Sequence, residues 1–191
     1  AAAGASGAQA SGPGALIRFI AGSAEGRASG PRRSSSRIFW KTRRIDDTDL
    51  ELRNATYRLF VELGRTPTAG ETGVATGLRT DDVGAGWERL HDAHALVLDA
   101  ETREIRIANP FSAVPTTFRV HTDGRSWYAN CAWDAFGVCA ALGVDGRIET
   151  ACPDCDEPLE VEVRDRRADD ESLVFHCLVP AAHWWDDIVF T

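Results

Sequence analysis

The feature that most constrains this chain is a change of hydrophobic period at Asn109-Pro110. Before that dipeptide, apolar residues recur every three or four positions, as in Leu52, Ala55, Leu59 and Leu63; after it they alternate, as in Leu159, Val161 and Val163. The first spacing puts a stripe along one side of a helix, and the second puts every other side chain on one face of a strand. Helices first and strands second predict an α+β fold, because regular alternation of the two would be needed for a parallel sheet.

Three helices are expected upstream of the change. Thr48 and Glu51 have the spacing of a capping box, which places a first helix at about 48–63, stopped by Gly64. Thr68 and Glu71 repeat the signature before a short helix containing Val74 and Ala75 and closed by Gly77. Thr80 is expected to cap a third, with Val83, Trp87, Leu90 and His94 on one stripe. Two extended runs, Ala95 to Leu98 and Glu104 to Ala108, flank a polar turn at Asp99 to Arg103. Three helices and a hairpin are the order of a winged helix over residues 45–108.

That order invites a DNA-binding reading, and the charge opposes it. Residues 45–110 carry seven Arg against thirteen acids, and the third helix would bring Asp81, Asp82 and Glu88 to the phosphates. Binding to duplex DNA depends on neutralising phosphate charge, so these helices are read as scaffold and no DNA partner is expected.

Residues 1–44 have the opposite balance, eight Lys and Arg against the single acid Glu25, within an Ala, Gly, Ser and Arg background. Apart from the patch Ala15 to Ala21 there is too little apolar material to offset the entropy of ordering, so a disordered basic tail is expected. An organellar transit peptide, a nucleic-acid tail and a plain solvated tail all fit that composition. No run approaches the roughly 18 to 20 apolar residues a membrane span needs, and no membrane association is expected. The absence of Met and the apolar residues Ile188, Val189 and Phe190 before the last position lead us to expect that both ends are cut. Five Cys is an odd number without a recognisable secretory signal, which points to free or metal-binding thiols in a reducing cytoplasm.

Downstream of Pro110 the alternation predicts strands around Phe118 and Val120, around Leu159 to Val163, and a buried one in the more continuous run Leu173 to Val179. One helix, from about Cys131 to Leu142, separates the first two. Residues 109–191 are thus expected to form an α+β domain on antiparallel strands.

The segment Trp127-Tyr128-Ala129-Asn130-Cys131-Ala132-Trp133-Asp134 is the densest in chemistry. If the helix begins near Asn130, Cys131 lies in its first turn, where unpaired N–H groups and the helix dipole favour a thiolate and lower its pKa. Asp134, three residues on, shares that face. Such a pair should share a proton and titrate together, giving a soft nucleophile beside a proton carrier. The competing structural reading makes Asn130 the N-cap, Asp134 a dipole-complementing acid and Cys131 a small buried hydrophobe. Cys139 is read as core.

Cys152-Pro153-Asp154-Cys155 is a CxxC at a turn between strands and amounts to half a zinc site. His176 and Cys177 could complete it, although neighbours on a strand point to opposite faces. Reduced or redox-active thiols at a turn are the other reading. His183, Trp184 and Trp185 are expected to form a short helix or loop, with Asp186 and Asp187 solvated.

These residues together resemble the organomercurial (alkylmercury) lyase family. The resemblance rests on the aromatic strand running into Cys131-Ala132-Trp133-Asp134, the helix ending Ala141-Leu142-Gly143, and Cys152 opening a turn before the Leu159, Val161, Val163 strand. Leu178-Val179-Pro180, Asn109-Pro110-Phe111-Ser112 and the winged-helix pattern add to it, and the basic tail lies outside it. The resemblance implies protonolysis of a carbon–mercury bond, giving a hydrocarbon and Hg(II), in mercury detoxification. It implies that Cys131 binds mercury, that Asp134 takes the thiol proton and delivers it to the departing carbon, and that Cys152 is structural. A second catalytic cysteine is implied at or just after Thr191. No organic cofactor is implied; external thiols, or a mercuric reductase, would take up Hg(II). Cys155 and Cys177 have no counterpart in the family pattern. The alternative from another class is a metal-responsive winged-helix regulator in which Cys152, Cys155 and Cys177 hold zinc.

Overall fold

The computed structural model describes residues 45–170, 172–174, 177 and 179–189. The basic segment 1–44 lies outside the described residues, and so do Phe175, His176, Leu178 and the last two positions.

Three helices open the described chain: α1 (Asp47–Leu63), α2 (Ala69–Thr76) and α3 (Thr80–Asp92). Asp46, not Thr48, caps α1, its carboxylate accepting the Asp49 N–H at 2.8 Å. An Asp caps at least as well as a Thr, and the earlier start turns Asp49 inward, where it accepts two hydrogen bonds from Arg89. The buried face of α1 is Leu52, Ala55, Thr56 and Phe60, whereas Leu63, expected on the stripe, is 41% exposed. The large Phe60 ring stacks on Phe111 at 5.2 Å and turns the helix to that register.

The second capping box forms as expected: Thr68 Oγ1 accepts the Glu71 N–H, and the Glu71 carboxylate accepts the Thr68 N–H at 2.8 Å. A Cβ at Gly73 would lie 2.7 Å from the Leu78 carbonyl oxygen, so the turn into α3 closes because that residue is a glycine. The residue before α3, Arg79, makes no side-chain cap; Thr80 is the first helical residue instead. Val83, Trp87 and Leu90 are buried along α3, and the Trp87 indole N–H donates to Thr56 Oγ1 at 3.0 Å, tying α3 to α1. His94 leaves the helix with φ 62 and stacks on Trp185 at 4.0 Å.

The hairpin follows as β1 (Val97–Leu98) and β2 (Ile105–Ala108), its turn held by the Asp99 carboxylate accepting the N–H groups of Glu101 and Thr102. After it come β3 (Phe111–Ser112), β4 (Phe118–Thr122), β5 (Arg125–Ala129), α4 (Ala132–Leu142), β6 (Gly146–Ala151), β7 (Pro158–Arg164) and β8 (Arg167–Ala168). All pairings are antiparallel, in the order β1-β2-β3-β5-β4-β6-β7-β8. The hairpin and the later strands therefore form one sheet, joined where β2 pairs with β3 on either side of Asn109-Pro110.

Trp127, Val120, Ile148 and Val161 stand in register across β5, β4, β6 and β7, and all four are buried. The neighbouring register, Tyr128, Arg119, Glu149 and Glu160, belongs to the other face and carries the polar side chains. This period of two is the pattern expected of Leu159, Val161 and Val163. Helix α4 contacts β4, β5 and β6.

The run Leu173 to Val179 departs from expectation. Leu173 and Val174 are 41% and 66% exposed, and no strand includes the described residues of that run. Among the described residues the sheet ends at β8, and Leu173 and Val174 are not the start of the buried strand expected. A 3₁₀ helix at Ala181–Asp186 carries His183, Trp184 and Trp185. No helix among the described residues is long and apolar enough to cross a membrane.

Candidate active site

Strand β5 delivers the chain to the site. Ala129 is its last residue and fully buried, and its carbonyl accepts the Thr116 hydroxyl at 2.6 Å, which pins the strand end. Two residues later Cys131 is itself the N-cap of α4, with φ −149 and ψ 179; Asn130, the expected start of the helix, lies one residue outside it. Helix α4 is anchored by Ala135, Val138 and Cys139, all buried, and stops at the left-handed Gly143. Cys139 is core, as read from the sequence: its sulfur sits so near Gly146 that a Cβ there would lie 2.7 Å away.

The Cys131 thiol donates to Asp134 Oδ2 at 3.7 Å, and both side chains are half-buried. Burial, with a further contribution from the nearby Asp134 charge, pushes the Cys131 thiol up to about 11. The N–H groups of Asp134 and Trp133 at the helix start pull the other way and are outweighed. This reverses the lowered thiol pKa expected from the helix dipole, since a dipole is a partial charge whereas desolvation penalises the whole thiolate. Burial likewise raises the Asp134 carboxyl to about 6, against a smaller opposing effect of the Cys131 hydrogen bond. The pair therefore holds one proton across the neutral range, on sulfur, with an ionised carboxylate beside it.

One neighbour of the pair gave no signal in the sequence. Tyr57 of α1 has its phenol raised mainly by burial and, to a lesser degree, by the charge of Asp134. Its hydroxyl donates to the Ala95 carbonyl at 3.2 Å, and the Arg53 guanidinium lies 4.3 Å from its ring centre. Tyr57 sits seventy-odd residues from Cys131 and off the predicted apolar stripe, so only tertiary packing shows the connection. Trp133, between the thiol and the acid, is 47% exposed.

Cys152 and Cys155 lie in the turn between β6 and β7, as expected, with Cys152 half-buried and Cys155 exposed. Cys177 does not join them; its thiol donates to the Val179 carbonyl at 2.9 Å, and His176 lies outside the described residues. Among the described residues no group of three or more His, Cys, Asp and Glu is gathered where it could hold a metal ion. Asp186, read as solvated, is exposed and also lies 2.9 Å from His183 Nδ1.

Two open clefts lie elsewhere, one of about 340 Å³ at the β4–β5 turn and one of about 390 Å³ lined by His91, Asp92, His94, Trp185 and Ile188. Neither is lined by a thiol. A half-buried, mutually perturbed acid and thiol mark a chemical site better than an open polar cleft does.

An antiparallel sheet carrying one helix, with a thiol and a carboxyl at the start of that helix, defines a thiol–carboxyl site on an α+β scaffold. Residues 111–191 match the model of the family described as MerB, alkylmercury lyase. The crystal structure of the mercury-bound form of MerB2 is similar, with a TM-score of 0.55 and 25% identity. The similarity covers 66% of this chain and 61% of MerB2, so it spans less than two thirds of that relative. No curated protein matches the chain. The family whose model matches and the α+β architecture are those read from the sequence.

Proposed function

We propose that this chain is an organomercurial lyase, splitting carbon–mercury bonds by protonolysis, with Cys131 as nucleophile and mercury ligand and Asp134 as proton carrier. The observation that carries the reading is the thiol–carboxyl hydrogen bond of 3.7 Å between two half-buried groups whose proton affinities burial has raised.

The substrate is R–Hg–X, where X is a thiolate or halide. As mercury approaches, the Cys131 thiol passes its proton to the Asp134 carboxylate, and the new sulfur–mercury bond displaces X⁻. A soft sulfur selects a soft metal, which explains why a thiol rather than a hydroxyl occupies this position. Asp134, now a neutral acid, returns the same proton to the carbon as the carbon–mercury bond breaks. The electron pair of that bond stays with carbon and becomes the C–H bond. The products are RH, an ionised Asp134 and mercury on Cys131, which external thiols then remove. A carboxyl near 6 suits both steps, because it can accept a proton and return it near neutral pH.

In this reading the helices α1 to α3 are scaffold: they carry the Phe60 and Tyr57 contacts and present an acidic outer face. The five cysteines are free, which suits a reducing compartment. Hydrocarbon release from phenyl- or methylmercury, measured beside mercury retained on the protein, tests the reading.

A further inference from the structure

The turn between β6 and β7 contains chemistry that the Cys131 site does not use. The Cys152 N–H donates to the Glu157 carbonyl and the Asp156 N–H donates to the Cys152 carbonyl, each at 2.9 Å, so the ends of the CxxC segment are clamped together. Asp156 accepts the left-handed conformation, φ 58, that folding back requires. Within the clamp, the nearby N–H groups of Asp154 and Cys155, and the Cys155 thiol, hold the Cys152 thiol below its usual range. Residues 153–157 are all exposed. Two thiols thus share one clamped turn between β6 and β7, with Cys155 open to solvent.

We propose that Cys152 and Cys155 form a second metal site, a two-thiolate clip for a soft cation that accepts two-coordinate binding, of the class of Hg²⁺ and Cu⁺. The argument runs through coordination number. A borderline ion such as Zn²⁺ needs four ligands, and among the described residues no third His, Cys, Asp or Glu joins the pair. A soft ion is satisfied by two sulfurs, and binding exchanges two thiol protons for one cation. The tight turn presents both sulfurs together, so the second bond forms at high effective concentration. Under the proposed function, and resting on it, the ion at hand is the Hg²⁺ that Cys131 chemistry releases.

The test supplies HgCl₂ directly, so it does not depend on lyase activity. Chain carrying Cys131→Ser is loaded, passed through gel filtration in buffer containing a monothiol, and its mercury counted. The clip predicts one mercury retained per chain. Adding Cys155→Ser, a change at an exposed position that the fold tolerates, weakens retention by roughly 10²- to 10⁴-fold, the advantage lost when a second linked ligand goes. Unchanged retention in the double variant would overturn the site, because mercury would then be sitting on single thiols. Stoichiometric zinc retained through Cys155 under the same conditions would overturn the soft-ion assignment. A chain with Cys131 intact that keeps the clip yet releases no hydrocarbon from phenylmercury would leave this site standing and remove the proposed function.

Discussion

Gly137 of α4 packs directly on the ring of Pro110: a Cβ at residue 137 would lie 2.9 Å from the Pro110 Cβ. The helix that carries Cys131 and Asp134 is thereby seated against the junction between β2 and β3. Replacing a mid-helix glycine by alanine ordinarily stabilises by about 1 kcal/mol. Here the rigid proline ring cannot move aside, and overpacking costs about 1–3 kcal/mol. Gly137→Ala should therefore lower stability or leave it unimproved in urea unfolding, while slowing turnover through displacement of the thiol–acid pair. A clear stabilisation would mean that α4 is not seated there.

The Asp49 and Arg89 pair is asymmetric, with side-chain exposures of 7% and 50%. Removing the arginine strands a carboxylate in the interior, whereas removing the acid leaves a guanidinium that water can reach. Arg89→Ala should cost about 3–5 kcal/mol and Asp49→Ala less, about 1–3 kcal/mol. Paired denaturant titrations check the order, and equal costs would contradict the asymmetry.

The acid limb of the pH–rate profile should follow Asp134, rising as pH passes about 6, because the carboxylate must be ionised to take the thiol proton. An alkaline limb is expected toward about 11, where the pair loses its shared proton. For stability the sign is opposite. The folded carboxyl binds its proton more tightly than the unfolded one, so its contribution is complete below the ordinary carboxylate range, near 3.8, and is lost as pH rises through about 6. Asp134→Asn should stabilise the chain above that pH by about 1–2 kcal/mol, allowing for solvent screening of a half-exposed group. Thermal unfolding at pH 5 and pH 8 measures the difference.

Residues 45–110 should not bind duplex DNA. Asp81 and Asp82 are exposed at the start of α3, and Glu88 pairs with Arg103 at 3.0 Å, so the face a recognition helix would offer is acidic or already neutralised. An anisotropy titration at low salt should stay within the weak non-specific range, roughly 10⁻⁴ to 10⁻⁶ M or poorer. Tighter binding with a steep salt dependence would favour the regulator reading.

The period change at Asn109-Pro110 made the order of helices and strands legible, and Thr68 with Glu71 marked a true helix start. Such signals are local, carried by residues three or four apart. What the sequence did not reveal depends on partners far along the chain. Asp46 replaces Thr48 as cap because Asp49 must reach Arg89, and Leu63 is exposed because Phe60 takes the place against Phe111. At the site, the spacing of Cys131 and Asp134 showed that they would meet. The direction of the thiol shift was missed, since burial of that helix start is set by tertiary packing, and no local rule counts it. Tyr57 was invisible for the same reason.

The central claim is that one proton passes between Cys131 and Asp134 and then to carbon. The most direct measurement is single-turnover release of benzene from phenylmercury, with mercury retained on the protein counted in the same samples, for the native chain, Cys131→Ser and Asp134→Asn. Cys131→Ser should lose both release and retention at this site, because a hard, poorly ionised hydroxyl does not capture mercury. Asp134→Asn should still retain phenylmercury while benzene release slows by roughly 10²- to 10⁴-fold, the effect of losing a general acid. Release at the native rate from Asp134→Asn would make Asp134 a helix-start acid only, and release from Cys131→Ser would remove Cys131 from the chemistry altogether.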